Sequence, residues 1–104
     1  MQLTIFYITT GDQETAERLG KLAVENKLAA CANISSINSI FPWENVIQHE
    51  EEFVLILKTL PIKKSALQRL IADNHPYEVP CIVSWDVDVN EEYATWVAAN
   101  VSEI

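Results

Sequence analysis

The chain has little that would let it bend freely or hold a phosphate. Two glycines in 104 residues leave neither a flexible linker nor a Gly-rich phosphate loop. Cys31 and Cys81 stand 50 positions apart with no C-x-x-C spacing, which excludes a zinc ribbon and a thioredoxin-like motif; in a reducing compartment they read as buried free thiols. Basic residues number 7 against 15 acidic ones, and the resulting formal charge of −8 repels phosphate backbones and attracts cations, so no nucleic-acid partner is expected. No apolar run is long enough to span a bilayer, and the leading MQLTIFYITT lacks the basic segment of a secretory signal, so the expected setting is cytoplasmic with no membrane contact. There is no G-x-S-x-G elbow, and Cys31 lies in an apolar run without a paired histidine, so nothing marks an enzyme.

What is present fits one ordinary domain over residues 1–104. Hydrophobic residues make up 49% and charged residues 21%, and a chain of this length buries roughly 60–70% of its unfolded surface in a single core. QLTIFYIT (2–9) reads as a strand with two largely apolar faces. Residues 11–27 switch to helical period, with Ala16, Leu19, Gly20 and Ala23 on one stripe and a capping box expected from Thr10 and Gln13. LAACANI (28–34) turns extended again. Ile34, Ile37 and Ile40 are three apart and cannot share one face of a regular strand, so SSINS (35–39) is expected to bulge within a long, kinked second strand.

EEFVLILKT (51–59) is a third strand, again apolar on both faces. Pro61 opens a second helix with Ile62, Ala66, Leu67, Leu70 and Ile71 as its stripe, ending near Asn74 because His75 precedes Pro76. PCIVSWDVD (80–88) is a fourth strand. A last helix starts at Asn90, with Tyr93, Trp96, Val97 and Val101 inward. This order predicts an α+β fold, a ferredoxin-like βαββαβ sandwich with an antiparallel sheet, a long hairpin between the second and third strands, and a C-terminal helix. An RNA-recognition domain shares the order but needs stacking aromatics that FVLILKT does not have. Helices cover one sheet face only, so strands that are apolar on both faces call for a cover, and a second copy of the chain is the simplest one.

Several residues have two readings each. His75, at a helix end, either interacts with the last carbonyls or reaches solvent and ligates a borderline divalent ion. Pro76 and Pro80 bracket Tyr77, Glu78 and Val79 in a stiff segment, which suits a connector as well as a binding loop. QHEEE (48–52) is either the solvated tip of a hairpin or a cation-attracting cluster around His49. Trp43 belongs either to an oligomer interface or, with Glu44 and Lys58, to the wall of a small-ligand cleft.

LAACANI, SIFPWE (39–44), LILKT (55–59), HPYEVP (75–80) and YATWV (93–97), in this order, resemble the CutA divalent-cation tolerance family over nearly the whole chain. The resemblance implies a non-enzymatic cytoplasmic homotrimer, PII-like in assembly, associated with tolerance of copper and other divalent metals. It implies copper ligands at a cysteine ending the first strand and at a His-His pair before Pro-Tyr. Ile8 and Asn74 stand at two of those positions, leaving His75 as the one match. The expectation is therefore a copper or zinc ion bound weakly through His75, helped by Glu78 or a neighbouring chain. The alternative is a sensor or scaffold binding a small anionic effector in an intersubunit cleft lined by Trp43, Glu44, Lys58 and Tyr77, where a lysine serves an anion and not a cation.

Overall fold

A computed structural model describes residues 1–101. Four strands, β1 (Gln2–Thr10), β2 (Cys31–Trp43), β3 (Val46–Thr59) and β4 (Ile82–Asp88), form one antiparallel sheet in the order β2-β3-β1-β4. Between them lie α1 (Gln13–Glu25), a 3₁₀ turn (Pro61–Lys63) and α2 (Lys64–Asn74), and α3 (Glu91–Asn100) follows. This is the ferredoxin-like sandwich expected from the element order. No helix among the described residues is long and apolar enough to cross a membrane.

Alternation along the central strands builds two cores. Phe6 and Ile8 of β1 and Leu55 and Leu57 of β3 face α1 and α2, meeting Ala16, Leu19 and Ala23 from one helix and Leu67 and Ile71 from the other. On the opposite face Leu3 packs with Val97 and Val101, so α3 covers one end of that face. Beyond α3 the face is apolar and open: Val83 is 49% and Trp85 43% exposed, beside half-buried Ile5, Tyr7 and Ile56.

Several details depart from the sequence expectation. β2 does not bulge: its pairing with β3 runs in one register from Cys31↔Lys58 to Trp43↔Val46, placing Ile37 on the face opposite Ile34 and Ile40. Outward of Phe53, β3 has lost its β1 neighbour, so residues 38–51 form a two-stranded arm that packs on neither core, and apolar residues on both of its faces need no kink. The two-residue turn at Glu44 and Asn45, both with positive φ (50° and 66°), is the tip; QHEEE lies inside β3 instead. Ile62 is 79% exposed and Ala66 is also exposed, because the 3₁₀ turn directs Lys63 inward in place of Ile62. Trp96 stays on the surface, stacked on Tyr93, because α3 meets the sheet through a narrow stripe of Ala94, Val97 and Val101.

The cap of α1 is also displaced. Thr10 is still part of β1, with its hydroxyl donating to the Asp12 carbonyl, and Asp12 is the N-cap, its carboxylate accepting from the Thr15 N–H at 2.7 Å. Gln13 reaches forward to Glu17 rather than back to a cap. The backbone and side-chain hydrogen bonds from Thr15, aided by the charge of Arg18, lower the Asp12 carboxyl below its ordinary 3.8. A lowered folded value means that the cap's stabilisation is present above the unfolded value and fades as the pH falls through the folded one. Asp12→Ala should therefore lower the denaturation midpoint at neutral pH, and the difference from wild type should shrink as the pH is taken progressively below 3.8.

Candidate functional site

Residues 74–80, which join α2 to β4, carry a connected set of specific side-chain contacts. α2 stops where Pro76 forbids another helical residue before it: His75 is extended, at φ −81° and ψ 131°. Asn74 closes the helix through its side-chain amide, which donates to the Leu70 carbonyl, and the Arg18 guanidinium donates to the Asn74 carbonyl at 3.0 Å.

His75 does not reach solvent. It is 9% exposed, and both ring nitrogens are engaged. Nδ1 accepts the Tyr77 N–H at 3.1 Å, so it carries no proton; Nε2 must then hold the hydrogen and donates it to the Thr9 carbonyl at 2.8 Å. Thr9 lies one residue past the last β1–β4 pair, Ile8↔Ile82, so the imidazole takes a strand carbonyl that β4 has not yet reached. In this neutral tautomer no nitrogen lone pair is left for an ion. The partner is also not a terminal carbonyl of α2 but one from a distant strand.

Tyr77 continues the chain of contacts. Its ring tilts against the imidazole with centroids 4.8 Å apart, and its hydroxyl donates to the Glu52 carboxylate at 2.7 Å. The site is closely fitted, since a Cβ on Gly11 would come within 3.1 Å of the Tyr77 hydroxyl oxygen. Burial first, then the Glu52 carboxylate and the charges of Glu50 and Asp12, raise the Tyr77 hydroxyl above its ordinary value, so it stays protonated and remains a donor.

The other candidate residues do not join this cluster within one chain. Trp43 is cross-strand partner to Val46 at the arm's tip, six residues along β3 from Glu52, and Lys58 lies six residues the other way; each interval is about 20 Å. Lys58 points its ammonium over the Tyr93 ring, 5.6 Å from the centroid. Glu44 forms the tip turn and Glu78 is exposed. His49 and Glu51 border a shallow depression of about 230 Å³ with Asn38 and Ile40, but no group of three His, Cys, Asp or Glu side chains placed to hold a metal ion occurs among the described residues. Sequence reasoning missed Thr9, Gly11, Arg18 and Glu52 as partners of the 74–80 segment, and no local pattern marks them, because each contact joins residues far apart in the chain.

Comparison with known proteins agrees over nearly the full length. The family described as CutA1 divalent ion tolerance protein matches residues 4–100. The divalent-cation tolerance protein CutA of Pyrococcus horikoshii is 38% identical over 96 residues, covering 91% of this chain and 94% of that protein. The crystal structure of CutA1 from Pyrococcus horikoshii superposes with a TM-score of 0.93 at 36% identity, over 96% of this chain and 99% of that one. CutA1 from Oryza sativa superposes at 0.92 with 31% identity, over 100% of this chain and 97% of that one.

Proposed function

Because the chain belongs to the CutA1 divalent ion tolerance protein family, we propose that it serves divalent-cation tolerance as a homotrimer and without catalysis. The observation that carries the assembly is the open sheet face. Val83 and Trp85 are large, apolar and exposed on it, contiguous with Ile5, Tyr7 and Ile56, and a patch of this kind on a soluble protein calls for a partner. β2 adds to this, since among the described residues its outer edge is unpaired for 13 residues, a template that favours further strand pairing.

Copper or zinc, in this reading, is held by groups that assembly brings together, with exposed carboxylates such as Glu78 contributing. Two features support placing the ion between chains rather than at His75: the imidazole is fully engaged, and one chain offers no ready cluster of ligands among its described residues. The net charge of −8 favours cations over an anionic effector.

Light scattering at micromolar concentration tests the assembly. Three times the chain mass is expected for wild type, and Trp85→Asp should give monomer, because an unpaired carboxylate would be buried in the interface. Calorimetric titration with Cu²⁺ and Zn²⁺ tests the ion, and binding should disappear with the trimer. A monomeric wild type defeats the first part; undiminished binding by a monomeric Trp85→Asp defeats the second.

A further inference from the structure

Glu52 stands at the junction between body and arm. Phe53, next to it, is the last β3 residue paired with β1, through Thr10; from Glu52 outward β3 has β2 as its one strand neighbour. A two-stranded ribbon is marginal by itself, so its direction depends on what holds its base. Glu50 and Glu51 are exposed, whereas Glu52 is only 6% exposed and takes the Tyr77 hydroxyl at 2.7 Å. A hydroxyl on a buried carboxylate is a short, charge-assisted bond, and removing the donor leaves the acceptor's desolvation uncompensated.

The donor is itself held from the body. Arg18 of α1 fixes the Asn74 carbonyl, the β1 carbonyl of Thr9 fixes His75, and His75 fixes Tyr77 through its N–H. Pro76 and Pro80 limit how far the segment can swing. Gly11 has no side chain to obstruct the Tyr77 hydroxyl.

We propose that residues 74–80 are a latch for the β2–β3 arm: the Tyr77 hydroxyl, aimed by His75, grips Glu52 at the arm's root and fixes the direction in which the arm meets a second copy of the chain. The last clause rests on the homotrimer reading; the grip itself does not.

Hydrogen–deuterium exchange followed by mass spectrometry on wild type, Tyr77→Phe and Glu52→Gln tests it. Tyr77→Phe should speed exchange of arm amides 38–51 by about tenfold while the central strands keep wild-type rates. Glu52→Gln keeps an acceptor oxygen for the tyrosine but loses the charge assistance, so its arm should exchange at rates between those of wild type and Tyr77→Phe. An equal acceleration across body and arm, or none in the arm, overturns the proposal. If Tyr77→Phe does not fold, Gly11→Val serves in its place: φ at Gly11 is not positive, and the added side chain crowds the hydroxyl, so the same arm-confined acceleration is expected and its absence is equally decisive. Light scattering on the same samples separates the two ideas. A monomeric wild type defeats the assembly and leaves the exchange comparison standing.

Discussion

Replacing His75 with alanine should lower the free energy of unfolding by about 2–4 kcal/mol and leave copper and zinc uptake by the assembled variant unchanged, because the substitution strands two part-buried backbone groups without removing a ligand. The Thr9 carbonyl loses its donor and the Tyr77 N–H loses its acceptor, at a position that is 9% exposed. Denaturation by urea, read by tryptophan fluorescence, gives the first number, and calorimetry on the folded variant gives the second. The opposite pattern, unchanged stability with lost metal binding, would show that the ring leaves both partners to take an ion. Asn74→His, which restores the first histidine of the pair that the family resemblance implies, should not create tight binding by itself while His75 remains tied to Thr9.

A loss of about 3 kcal/mol is expected for Gly20→Leu, from overpacking. Gly20 lies in the middle of α1 against the sheet, where even a Cβ would come 3.0 Å from the Ala32 Cβ and 3.1 Å from Leu55 Cδ1. A leucine has no room there unless the helix rises off β2 and β3. Gly20→Ala is the informative control: the gain in helix propensity, about 1 kcal/mol, opposes the tight Ala32 contact, so the net change should be small. Chemical denaturation of both variants separates crowding from propensity. A leucine variant as stable as wild type would show that α1 can shift without cost.

The fold was legible wherever one residue's neighbours in sequence decide its surroundings. Phe53, Leu55 and Leu57 alternate because β3 has a packed face there, and Pro76 ends α2 through its effect on the residue just before it. Ile34, Ile37 and Ile40 misled because strand periodicity assumes one face against the body, an assumption that fails once β2 runs out into the arm. Thr10 was the expected cap of α1, but it pairs with Phe53 across the sheet and leaves the cap to Asp12, two residues on. His75 was legible as a special position but not in its role, since its partner Thr9 is 66 residues away. Glu52 looked like its solvated neighbours Glu50 and Glu51 because nothing in QHEEE records that Tyr77 will cover one of the three.

The straight register of the arm makes it a lever. From Glu52 to Val46 is six residues, and a tilt of about 10° at the root carries the tip sideways by about 3.5 Å. That displacement is as large as the optimal separation of two carbon atoms in contact, enough to lift the Trp43 ring from any surface it had been resting on. Small changes in geometry where the arm leaves the sheet are thus amplified at its end.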